Sequence, residues 1–257
     1  MARFLNAAFA FAAVLTASAA ADMPAIQPQP EKGFVFGTVT DAAGQPLGGV
    51  QVFIDGIGDN NVFVTTKPDG TYRARVSFGA YRAFATMERD YEGQTYKVDL
   101  KPDVTDSFDA EDGGVRNFTW ALTGKKAPPD MGSYGAFLYV NLGTDYTYIE
   151  DQENITYTLT ASGPAIDGST PAPIVRKGGA ARSEEFGKIL DVPVGRYTIT
   201  GVYAPPGKKP QTLRFRDAWT RSGDFKEALE FVIQAKGNYC DNCASLDVES
   251  LKEAEPQ

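Results

Sequence analysis

Along residues 34–122 apolar and polar positions alternate with period two, the spacing of strands that bury one face. Residues 34–40, 50–54, 71–76, 81–87 and 95–100 each read as a strand. Residues 115–122 close the series with Phe118, Trp120 and Leu122 on one face, and 61–66 add a further candidate. The connections carry turn chemistry. Ala43-Gly44-Gln45-Pro46 and Pro68-Asp69-Gly70 supply the positive-φ glycines and fixed-φ prolines that tight turns require. No window of this half has a 3.6-residue period. Six or seven short strands in about 90 residues predict an antiparallel β-sandwich.

The run Gly124-Lys125-Lys126-Ala127-Pro128-Pro129-Asp130 interrupts the pattern and reads as a linker over 125–133. Beyond it the alternation resumes at 134–142, 155–160, 189–192, 196–203, 212–215, 229–234 and 245–248. Over 224–235 two periods compete. Phe225, Ala228, Leu229 and Val232 fall at helical spacing, whereas Leu229, Phe231 and Ile233 alternate as in a strand. Strand is the expectation. The fold class is therefore all-β, two antiparallel β-sandwich domains in tandem at 33–124 and 134–250, with a tail at 251–257. Phe78-Gly79-Ala80-Tyr81 and Val194-Gly195-Arg196-Tyr197 echo one another weakly at strand starts, as related sandwiches would, although Gly-x-Tyr there is also common turn chemistry.

The N-terminus reads as an address. Arg3 precedes an apolar stretch from Phe4 to Leu15, and Ala-rich small residues lead to Asp22, so residues 1–21 form a cleavable signal peptide. The stretch is too short for a transmembrane span, and no later window is apolar enough. Residues 22–32, with three prolines, make an extended linker. The mature chain is expected to be secreted or periplasmic.

Composition narrows the chemistry. The 257 residues include 25 Lys and Arg against 33 Asp and Glu, a net charge of −8, which opposes nucleic-acid binding. There is no histidine. Ser-His-Asp and Cys-His triads and histidine-ligated zinc are excluded, and general acid–base catalysis near neutral pH loses its usual side chain. No Ser-x-x-Lys occurs either.

Gly37-x-Val39-x-Asp41-x-x-Gly44-x-Pro46-Leu47-x-Gly49-Val50-x-Val52-x-Ile54, followed by Thr66-x-x-Asp69-Gly70-x-Tyr72 and Gly79-x-Tyr81, resembles the carboxypeptidase regulatory-like domain family. That family is a transthyretin-like sandwich related to the collagen-adhesin B-type repeats, and the resemblance covers residues 33–124. It implies a fold, not an activity. Enzymes on related folds rely on histidines that this chain lacks. Adhesin repeats often carry a Lys–Asn isopeptide bond, and Lys32 and Asn117 lie at superficially similar places. Lys32 sits outside the apolar strand pattern, so both read as ordinary surface residues.

Three groups of residues remain as candidates. Cys240 and Cys243, in an exported chain with no other cysteine, read as a structural disulfide. The loops holding Asp55 and Asp59, and Asp103, Asp106 and Asp109, offer oxygen ligands at short spacing, so calcium is the one cofactor considered. Neither has EF-hand spacing, and solvated, solubilising loops are the plainer reading. Tyr134, Tyr139, Tyr146, Tyr148 and Tyr157 are dense in the second half, with Tyr146 and Tyr148 on one strand parity as a ligand surface. The expectation is a non-catalytic binding or scaffold protein of the envelope or extracellular space, partnered by a protein. The alternatives are a glycan-binding protein using those tyrosines and a histidine-free hydrolase using carboxylates.

Overall fold

A computed structural model describes residues 28–58, 60–142 and 151–249. The expected alternation becomes β1 (Phe34–Thr40), β2 (Gln51–Gly56), β3 (Val62–Thr65), β4 (Thr71–Arg75), β5 (Ala80–Tyr91) and β6 (Gln94–Asp99). Val52 and Ile54 on β2, and Tyr81, Ala83, Ala85 and Met87 on β5, point inward and are buried. Four two-residue strands complete the first sandwich: β7 (Lys101–Pro102), β8 (Phe108–Asp109), β9 (Gly114–Val115) and β10 (Phe118–Thr119). The single strand expected at 115–122 is thus two short pairings. Between them the Arg116 guanidinium turns back to the Val115 and Asp106 carbonyls, at 2.8 and 3.0 Å.

The motif turns form as their chemistry requires. The Asp41 carboxylate accepts the amides of Ala43 and Gln45, and Asp69 accepts the amide and hydroxyl of Thr71. Those two bonds hold the Asp69 carboxyl below its ordinary value. Gly37 is required by close approach, because a Cβ there would lie 1.9 Å from the Arg116 carbonyl oxygen.

The second sandwich begins with β11 (Ala136–Leu142), β12 (Ile155–Ala161), β13 (Ile174–Lys177), β14 (Lys188–Val192) and β15 (Arg196–Tyr203). It ends with β16 (Gln211–Thr212), β17 (Phe215–Asp217), β18 (Leu229–Val232), β19 (Gln234–Lys236) and β20 (Asp241–Val248). The helical reading of 224–235 fails, since Leu229 and Phe231 both face the core as strand neighbours. The strand expected at 212–215 splits, because the chain crosses from one sheet to the other at Leu213.

Each sandwich has two five-stranded sheets, and the two share one plan. The first has orders β4-β1-β10-β7 and β3-β2-β5-β6, and the second β14-β11-β20-β17 and β13-β12-β15-β16. Adding ten to a strand's number gives its counterpart, including β8 on β5 and β18 on β15, with one departure: β9 pairs with β1, whereas β19 pairs with β20. In each, the first strand pairs in parallel with a closing strand, β1 with β9 and β10, and β11 with β20. A parallel neighbour needs a crossover, and the intervening strands of the sandwich provide it. The echoed tyrosines are equivalent too. Tyr81 stands opposite Phe108 at a ring distance of 5.9 Å, and Tyr197 opposite Phe231 at 6.2 Å. Each phenol also contacts the residue four positions before it, Ser77 or Pro193.

The sandwiches meet through the β5–β6 hairpin. Tyr96 on β6 is fully buried and donates its hydroxyl to the Ile233 carbonyl at 2.5 Å. The Gln94 side chain accepts the Ala235 amide at 3.0 Å, Tyr91 donates to the Pro164 carbonyl at 2.8 Å, and Arg196 pairs with Glu92 at 2.6 Å. Buried side chains of both sandwiches form one continuous apolar cluster.

Tyr96→Phe leaves a buried carbonyl without its donor, so unfolding free energy should drop by about 1–3 kcal/mol in urea titrations. Burial pushes the Tyr96 phenol up to about 12 and also raises Tyr72, Tyr157 and Tyr197. The folded state thus favours neutral phenols. Stability should be fully present below the ordinary phenol value of 10.0 and lost as pH rises toward and through 12, as urea midpoints measured along that range would report.

Candidate functional site

Residues 124–135 do not run as an extended linker. They close into a hairpin-like loop, with Lys125 bridging to Ser133, the Lys126 amide donating to Gly132 and the Tyr134 amide to Gly124. One carboxylate grips both ends. Asp191 accepts the Gly124 amide at 2.8 and 2.9 Å and the Gly135 amide at 3.2 Å. It does so from a left-handed backbone (φ 59°), which aspartate tolerates better than most residues, beside a register shift between β11 and β14. The neighbour must be glycine, since a Cβ on Gly135 would lie 2.8 Å from Asp191 atoms. Two ion pairs tie the loop to the first sandwich, Lys126 to Asp99 at 2.6 Å and Arg82 to Asp130 at 3.3 Å.

Held this way, the loop walls a groove of about 1040 Å³ between the sandwiches. β6 contributes Lys97 and Asp99, and β11 contributes Phe137 and Tyr139, whose outward rings meet edge to face at 5.2 Å. Arg176 and Lys177 of β13 and Lys188 of β14, the cross-strand neighbour of Tyr139, also line it. The Lys188 ammonium lies 5.8 Å over the Tyr139 ring, while Lys126 lies 5.7 Å over Tyr134. Rings beside ammonium groups give the groove both stacking and charged contacts to offer. Among the described residues no group of three or more Cys, Asp or Glu side chains gathers to hold a metal.

Cys240 and Cys243 form a disulfide. It staples the turn after β19 to the start of β20, where Asn242 donates its side-chain amide to the Lys97 carbonyl at 2.7 Å across the domain junction. The other expected residues scatter. Asp55 lies on β2, and Asp59 falls outside the described residues. Asp103 gives both oxygens to Asn117, at 2.9 and 2.7 Å, and Asp109 accepts the Glu111 amide to close its own turn. Asp106 contributes its carbonyl to Arg116. Lys32 pairs with Glu111, and Asn117 is engaged by Thr38 and Asp103, so the two do not meet. Tyr146 and Tyr148 lie outside the described residues. Of the remaining tyrosines, Tyr134 and Tyr139 line the groove and Tyr157 is buried in the core.

A second surface escaped the sequence reading. Phe63, Phe53 and Phe84 form a row across β3, β2 and β5, with ring distances of 4.8 and 6.2 Å. The signal was strand parity: Phe53 sits between inward Val52 and Ile54, where an outward polar residue is expected.

No family model and no curated protein sequence matches the chain. The resemblance at 33–124 therefore rests on its motif residues. Among solved structures, the chain is similar to the Bacillus anthracis TIE protein, with 14% identity and a TM-score of 0.29 over 84% of this chain and 34% of that one. It is similar to a streptococcal ancillary pilin at 10% identity and a TM-score of 0.24, over 84% of this chain and 62% of that one. The C-terminal fragment of the pilus adhesin SpaC from Lactobacillus rhamnosus GG shows 13% identity and a TM-score of 0.27, over 88% and 98% of the two chains. The chain spans about a third of the first and less than two thirds of the second. At these TM-scores the likenesses carry no functional argument. No helix of the described residues is long and apolar enough to cross a membrane.

Asp191→Ala removes a charged acceptor shared by two amides, so stability should drop by about 2–3 kcal/mol. The loop should also become a protease site, and cleavage within 125–133 followed by mass spectrometry checks it.

Proposed function

We propose that this chain is a non-catalytic binding or scaffold protein working outside the cytoplasm, which holds a protein partner in the groove between its sandwiches. The carrying observation is the groove itself. Two sandwiches docked through Tyr96 leave a space of about 1040 Å³, and Asp191, Asp99 and Asp130 hold its loop wall in place. A site framed by rigid elements orients a ligand with little ordering cost. Binding without turnover also suits a chain with no histidine. The signal-like residues 1–21 and the stapled Cys240–Cys243 turn suit an oxidising, exported setting.

A glycan-binding role is the second reading. Tyr139 and Phe137 supply outward rings beside Lys188, a pairing that also suits sugars.

Peptide and glycan arrays probed with the purified chain, and with Phe137→Ala/Tyr139→Ala, separate the readings. Peptide hits that weaken at least about tenfold in the variant are expected, since buried aromatic anchors dominate such interfaces. Glycan hits lost in the variant would favour the second reading, and hits unaffected by it would remove the groove from both. Turnover of a peptide or sugar substrate would overturn the non-catalytic assignment.

A further inference from the structure

We infer that the groove takes an extended acidic peptide segment, which adds as a strand to the free edge of β13. This rests on the proposed binding role and supplies the chemistry of the ligand.

The edge follows from the ladder. The Gly178 amide donates to the Ile155 carbonyl directly opposite it, at 3.0 Å. In an antiparallel pair such bonded positions alternate, so Arg176 and Ile174 also bond toward β12. The N–H and C=O groups of Val175 and Lys177 therefore turn away from it. The same rule applied to β12 gives a consistent answer. The Ala204 amide donates to the Asn154 carbonyl, so Thr156 and Thr158 bond toward β15. β13 ends its sheet, and among the described residues no strand pairs with its outer side. Val175 is 57% exposed there, and its carbonyl accepts from the Arg176 guanidinium of its own strand at 3.2 Å, a bond that an incoming strand would displace. An edge that no strand pairs, with an exposed β-branched side chain, is a template for strand addition.

The ligand's charge follows from pairing within the groove. Lys126 is neutralised by Asp99 and Asp130 by Arg82, while Asp191 keeps its charge as it accepts the Gly124 and Gly135 amides. Without an ion-pair partner among the described residues, the lining then holds Lys97, Lys125, Arg176, Lys177 and Lys188 against Asp191, Glu184, Glu185 and Asp241, an excess of one cation, with Arg176 and Lys177 on β13 itself. That excess stands on a chain of net charge −8, so it selects an acidic ligand against the general field of the protein. The counterpart edge in the first sandwich makes the contrast. β3 also ends its sheet, but Val62-Phe63-Val64-Thr65 carries no charge to choose a partner.

The test uses fluorescence anisotropy on the full chain with three labelled probes. These are a peptide of alternating Glu and Val, the same peptide with Lys for Glu, and an oligogalacturonate. The Glu peptide should bind, weaken as salt rises, and lose about tenfold in affinity in Arg176→Ser/Lys177→Ser. Val175→Pro should remove binding while leaving the melting temperature within a few degrees, because that amide makes no bond to β12. Should the proline variant misfold, the serine pair still decides, since it leaves the backbone intact. Equal binding of the Lys peptide would overturn the charge selection. Oligogalacturonate binding that survives Val175→Pro but is lost in Phe137→Ala/Tyr139→Ala would overturn strand addition while the groove stands as a binding site. A dimer dissociated by Val175→Pro would show that a second copy takes the edge, and would overturn the peptide reading. Absence of binding by all three probes would overturn the inference, and the array experiment then decides the groove's role separately.

Discussion

The docking of one hairpin holds this molecule together as a unit. β5 and β6 run past the edge of their own sandwich and present Tyr91, Glu92, Gln94 and Tyr96 to the second one. Tyr96 matters most among these because it is wholly buried, so its hydroxyl must find an acceptor inside the protein. The Ile233 carbonyl is that acceptor, at a point between β18 and β19 where the second sandwich's ladder is interrupted. Each side thus satisfies a polar group that the other leaves open. The Arg196–Glu92 pair at the rim is about a third exposed and adds orientation more than stability.

The groove is a consequence of that junction. Its loop wall is fixed on both sides, by Lys126 and Arg82 contacts to the first sandwich and by Asp191 in the second. The Cys240–Cys243 staple acts nearby. By closing so short a loop it adds only modest global stability, and its effect is to hold the turn that aims Asn242 at Lys97. The two sandwiches share one strand plan, yet their equivalent edges differ in use. β3 carries an uncharged segment beside a phenylalanine row, and β13 carries Arg176 and Lys177 beside the groove. Repetition of a topology thus leaves room for two different surfaces on one scaffold.

Much of the fold could be read ahead of the structure, for a local reason. Inward positions of β1, β2, β4, β5, β6, β12 and β15 alternate cleanly, because each strand buries one face. The echo of Gly79-x-Tyr81 in Gly195-x-Tyr197 was a true sign of equivalence, since both tyrosines fill the same place opposite a phenylalanine. The two-residue strands β7, β8, β9 and β10 left no such trace. Their pairing is imposed by neighbours distant in the chain, and two residues carry no period. The acidic residues misled for a related reason: closeness in sequence brings no convergence when Asp103 and Asp109 each serve a separate turn.

The sequence by itself determined an all-β chain, the turn residues at Asp41 and Asp69, and the single cysteine pair. These follow from interactions a few residues apart or from composition, so no tertiary information is needed. Only the tertiary structure decided that residues 124–135 fold back on Asp191, and that Lys97, Tyr139, Arg176 and Lys188 face one groove. Those residues are far apart along the chain, and their meeting depends on how two sheets dock. A buried phenol and a carbonyl 137 residues away set that docking, and no local pattern encodes it.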